Sequence, residues 1–92
     1  MRLSIIYTTQ LKAALGIGAE QVELAPPSTA ADLLAALAEK HGPEFHRLAL
    51  DGAGRPLASL IVCVGDEQVS PTAPLDLKDG DTITILSAIS GG

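Results

Sequence analysis

Hydrophobic and polar residues alternate at the start of the chain, with Leu3, Ile5 and Tyr7 interleaved with Ser4, Ile6 and Thr8. That period of two predicts a strand with one face on a core. Gln10 to Leu15 has room for one or two helical turns before Gly16 and Gly18, and the Gly16-Ile17-Gly18-Ala19-Glu20 stretch reads as a loop. Alternation returns in Gln21-Val22-Glu23-Leu24 and stops at Pro26-Pro27, because proline cannot donate to a sheet ladder. Ser28 or Thr29 then offers a helix cap, with Asp32 placed to complement the dipole of the first turn. Ala30, Leu33, Leu34, Leu37 and Ala38 fall on one helical stripe that ends at His41, before Gly42-Pro43.

Beyond Pro43 the pattern weakens. Glu44 to Leu48 reads as a further helical turn, and Asp51-Gly52-Ala53-Gly54 as a loop. Ser59 to Val64 is rich in β-branched residues and predicts a buried strand, turned back by Gly65-Asp66-Glu67 into a short Gln68-Val69 strand. Ser70-Pro71-Thr72-Ala73-Pro74 cannot remain in a sheet, so the chain crosses toward Leu75 and Leu77, both expected to close one end of the core. Asp79-Gly80-Asp81 is a turn, and Thr82 to Leu86 is the last strand, with Ile83 and Ile85 inward and Leu86 outward. The order β-β-α-β-β-β predicts an α+β fold of β-grasp type, a mixed sheet of four to five strands packed on one main helix. One domain spans residues 1–92, with a flexible C-terminal tail over 87–92.

Composition narrows the function. A chain of 92 residues supports one small core. One Phe, one Tyr and no Trp leave no stacking platform for single-stranded nucleic acid, and a net charge of −5 repels phosphate backbones, so nucleic acid is not an expected partner. Acidity favours instead a partner with a basic face. The single Cys63, set among Leu60 to Val64, reads as a small buried hydrophobe. With no secretory pattern in Met1-Arg2-Leu3-Ser4 and no apolar run of membrane-spanning length, the expectation is a soluble cytoplasmic protein without membrane association.

Candidate chemistry concentrates at the end. Gly91-Gly92 carries no side-chain bulk and can enter a narrow channel, and a terminal carboxylate on Gly92 is ionised at neutral pH. The chain has no phosphate-binding loop of the GxxxxGK[ST] type, and its Gly16-Ile17-Gly18 pair lacks the spacing of a dinucleotide fingerprint. It therefore binds no cofactor by itself, and any ATP must come with a partner. His41 and His46 lack a Cys or acidic ligand set beside them and are read as surface residues, not metal ligands. Asp79 and Asp81 flank Gly80 as turn formers without acid-base work.

The ending Asp79-Gly80-Asp81-Thr82-Ile83-Thr84-Ile85-Leu86-Ser87-Ala88-Ile89-Ser90-Gly91-Gly92 resembles that of the MoaD/ThiS family of ubiquitin-like sulfur carriers, and Tyr7-Thr8-Thr9-Gln10-Leu11-Lys12 looks like that family's first-strand exit. The resemblance implies a protein cosubstrate and not an enzyme. An adenylyltransferase resembling the ubiquitin-activating class would use ATP to adenylate Gly92, with Gly91 giving clearance, and a sulfur donor would displace AMP to leave a thiocarboxylate. Length and middle segment resemble the MoaD side, which implies delivery to a molybdopterin-synthase large subunit. Carriers for cysteine, thiamine or other sulfur metabolites share the ending. So do ubiquitin-like modifiers joined to lysines, and an inert interaction module is the third class. Where family carriers place aromatic residues on the exposed sheet face, this chain has Thr8 and Leu86. Leu86, Ile89 and Thr8 are the expected partner interface.

Overall fold

The computed structural model describes residues 1–87. Strand β1 (Arg2–Thr8) leads into helix α1 (Thr9–Leu15), and strand β2 (Ala19–Glu23) returns beside β1. Helix α2 (Ala30–His41) is followed at once by α3 (Pro43–Ala49), then by β3 (Leu60–Val64), β4 (Glu67–Val69) and β5 (Thr82–Ser87). The five strands form one sheet in the order β2-β1-β5-β3-β4. β5 runs parallel to β1 and antiparallel to β3, so the last strand lies in the centre.

Alternation decides the two faces. Leu3, Ile5 and Tyr7 from β1, Val62 from β3 and Ile83 and Ile85 from β5 are buried against Leu33, Leu34 and Leu37 of α2. Each of these leucines contributes about 2 kcal/mol by leaving water, so the helical stripe and the strand period hold the same core together. Thr29 caps α2 through a reciprocal box: its hydroxyl accepts from the Asp32 N–H, and its own N–H donates to the Asp32 carboxylate. Gly42, at φ +71°, lets the chain leave α2 and start α3 without a break, with Pro43 at the first helical position where its missing N–H costs nothing. The weak pattern after Pro43 is thus a full short helix, whose Phe45, Leu48 and Ala49 extend the core.

Three sequence expectations change. β2 begins at Ala19, so Glu20 belongs to the strand and not to the preceding loop. Leu77 is buried, held by its N–H to the Ser28 carbonyl, whereas Leu75, on the far side of the isolated Thr29–Asp76 bridge, is 48% exposed and closes nothing. Ser87 is buried in β5, and its hydroxyl donates to the Leu48 carbonyl, so the expected tail boundary at 87 falls inside the strand. Ile89, Gly91 and Gly92 lie outside the described residues.

Candidate functional site

β1 and β5 set the site because they run in parallel to the end from which the chain continues toward Gly92. Thr8 and Leu86 are register partners across this pair, and Leu86 in turn partners Ile61 of β3. The Thr8 hydroxyl donates to the Ile85 carbonyl at 3.5 Å. One register step away, Ile6 opposes Thr84, which opposes Cys63. All six side chains are on the sheet face away from α2, since their neighbours Ile5, Tyr7, Val62, Ile83 and Ile85 point into the core. The result is an uncharged surface, with Ile6 38% exposed and the others half-buried.

Two of the expected interface residues, Thr8 and Leu86, are therefore brought together, while Ile89 lies outside the described residues, as do Gly91 and Gly92. Ile6, Ile61 and Cys63 were missed. Strand alternation puts Ile61 and Cys63 on one face, but in a run as uniformly apolar as Leu60 to Val64 only the burial of Leu60 and Val62 shows which face is open. Cys63 is a free, half-buried thiol on the open face and not a core hydrophobe.

A second cluster occupies the core-side edge. Glu20 shares the inward face of β2 with Val22 and opposes Ile5. Its carboxylate accepts from the buried Tyr7 hydroxyl and from His41 Nε2 on one oxygen and from Lys40 Nζ on the other, each at 2.5 Å. Burial acts to raise the Glu20 carboxyl, but the hydrogen bonds from Lys40, Tyr7 and His41 outweigh it and hold the group below its ordinary range. Burial, joined by the bond to Glu20, pushes the Tyr7 phenol far above its ordinary value, so it remains a donor. The expectation of a surface His41 is corrected here: its ring stands edge-on to Tyr7 with centroids 5.9 Å apart, and its side chain is 15% exposed. Tyr7 gave the sequence signal, because a tyrosine buried in an aliphatic core needs a partner for its hydroxyl.

Among the described residues no group of three or more His, Cys, Asp or Glu side chains could hold a metal ion, and no helix is long and apolar enough to cross a membrane. What the geometry offers is an uncharged face along the parallel β1–β5 pair.

A five-stranded mixed sheet with its last strand central, packed on one main helix, is the ubiquitin-like β-grasp fold. The chain belongs to the ThiS family, whose sequence profile matches residues 5–92. Sulfur carriers and ubiquitin-like modifiers make up this group of small proteins. The structure is similar to SAMP1 from Haloferax volcanii, with a TM-score of 0.85 at 20% identity over 100% of both chains. It is similar to CysO in the Amycolatopsis orientalis BexX/CysO complex, with a TM-score of 0.66 at 29% identity over 98% of this chain and 99% of that one. It is also similar to a putative molybdopterin converting factor, subunit 1, from Pyrococcus furiosus, with a TM-score of 0.72 at 20% identity over 97% and 99% of the two chains. A comparison with curated proteins finds no match.

Proposed function

We propose that this protein is a sulfur carrier, a cosubstrate of partner enzymes in the cytoplasm, with a thiocarboxylate on Gly92 as its active form. The observation that carries the reading is the family match running through Gly91 to Gly92, a few residues on in sequence from a strand whose outer face is free of charge. The Gly92 carboxylate attacks the α-phosphorus of ATP on the activating enzyme, forming an acyl-adenylate and releasing pyrophosphate. A sulfur donor at the sulfide level then attacks the carbonyl and expels AMP, leaving sulfur where oxygen was. Gly91 clears the channel, and the Thr8–Leu86 row, with Ile89 beyond it, docks the domain.

We further propose a molybdopterin-synthase large subunit as the receiver, on the chain's length and middle segment. CysO is found in a complex with BexX, which supports a carrier that docks on a partner protein.

Intact mass of the protein from its native cells tests this. A thiocarboxylate adds about 16 Da at the C-terminus, and one extra residue after Gly92 should abolish it. A shift that persists in the blocked chain, or that maps to Cys63, removes the proposal. Loaded protein should pass its sulfur to the large subunit once per chain; transfer only to a cysteine-synthase-like or thiazole-synthase partner would reassign the pathway, and a ladder of Gly92-linked conjugates would make the protein a modifier.

A further inference from the structure

The Glu20 cluster has no part in the tail chemistry, yet it joins three elements at one point. Tyr7 comes from the end of β1, Glu20 from edge strand β2, and Lys40 and His41 from the last turn of α2. Tyr7 is the register partner of Ile85 and the chain neighbour of Thr8, so whatever fixes Tyr7 fixes the docking row from below. Without the cluster, the β1 end is held on one flank by β2, whose pairing with β1 reaches only Ile6–Ala19 in register. Just past that point the Tyr7 N–H donates to the Gly18 carbonyl at 2.9 Å, and the Tyr7 hydroxyl adds a side-chain bond to Glu20 that ties this end to α2 through Lys40 and His41.

The charge balance makes this junction conditional. Ionised, Glu20 is a single anion facing the Lys40 cation, the His41 ring and a phenol donor. Neutral, it leaves the Lys40 cation beside a carboxyl that no longer offers it an anion, in a site where the Glu20 side chain is only 11% exposed. Among the described residues, Lys40 and His41 are paired with no carboxylate other than Glu20. α3 presents the Phe45 ring to His41, with centroids 6.4 Å apart, and its Glu44 is paired with Arg47. α1 lays the Lys12 stem against Gly18, just before β2, which adds a further cation on that side.

We propose that the Tyr7–Glu20–Lys40–His41 cluster is an acid-released latch: with Glu20 ionised it clamps the end of β1 to α2 and keeps the Thr8–Leu86 row in register for docking, and with Glu20 neutral it opens and loosens that row. The docking half of this statement rests on the carrier reading above; the latch itself does not. Lys40 and His41 are positioning residues, acting through Glu20 on Tyr7.

The experiment is a pH titration of the full chain followed by amide NMR, together with the Glu20 carboxyl carbon. In the wild type the amides of Tyr7, Thr8, Ile85 and Leu86 should move with the Glu20 carboxyl at one common midpoint, below the ordinary carboxylate range. Glu20→Gln should show the low-pH positions of these amides already at pH 7 and bind the activating enzyme several-fold more weakly. Should that variant fold poorly, Tyr7→Phe removes one hydroxyl only and should shift the same four amides at pH 7. Amides that stay still while Glu20 titrates, or a Tyr7→Phe spectrum unchanged outside residue 7, overturn the latch. Leu86→Glu keeps the two ideas separate: it should weaken docking with the Glu20 titration intact, and undiminished binding there would sink the docking row while leaving the latch standing.

Discussion

Thr8 and Leu86, near opposite ends of the chain, are neighbours in the parallel register of β1 and β5 and share the open face of the sheet. Leu86 is half-buried by Thr8 and Ile61, so its side chain contributes more to a surface than to the core. Leu86→Glu should therefore leave the thermal midpoint nearly unchanged. It should cost about 1–3 kcal/mol in binding to the activating enzyme, roughly five- to 150-fold, measured by calorimetry. A large drop in melting temperature would make Leu86 structural instead.

Leu33 is fully buried on the α2 stripe. Leu33→Ala removes packed methyl groups and leaves a cavity, which should destabilise the domain by about 3 kcal/mol in denaturant titration. For a core this small that is a substantial share of the total. A loss below about 1 kcal/mol would show that α2 can collapse into the gap.

The capping box predicts a smaller effect at a half-buried site. Thr29→Ala removes the hydroxyl that accepts from Asp32 N–H and should cost about 1 kcal/mol, while Thr29→Ser should recover most of it. Equal losses for both would assign the effect to the Thr29–Asp76 bridge and not to the cap.

Acid stability follows from Glu20. Its folded carboxyl lies below its value in the unfolded chain, so on acidification the unfolded chain takes up the proton first. The stabilisation is fully present above the unfolded value of roughly 4.3 and is lost as pH falls through the folded value. Wild type should exceed Glu20→Gln in melting temperature by a constant margin from about pH 7 down to pH 5, narrowing below. A margin independent of pH would mean that the Glu20 charge carries none of it.

Much of the fold was legible because local and global preferences agree. In β1 and β5 the period of two matches the two faces, and in α2 the stripe, the Thr29–Asp32 box and Gly42 all mark the same helix. What escaped were features decided across the fold. Periodicity cannot say that Glu20 points inward until Tyr7 and His41 are placed above it, nor that Cys63 faces outward until β3 is known to have one covered face. Leu75 and Leu77 look alike in sequence, and only the Thr29–Asp76 bridge separates them. Half of the docking row was readable from the strand ends, whereas Ile61 joined it only through the β3–β5 register.

The strand order also bears on how the protein is made. Of the described strands β5 is the last to leave the ribosome, yet it is the one on which both halves of the sheet close, β1 with β2 on one side and β3 with β4 on the other. Until it emerges, the two hairpins expose the edges and apolar faces that β5 will cover, and the pairing of β1 with β5 must bridge nearly the whole length of the chain. Translation that halts early should thus yield fragments that chaperones and proteases remove. A domain that has closed its sheet is one whose synthesis has already passed through Ser87.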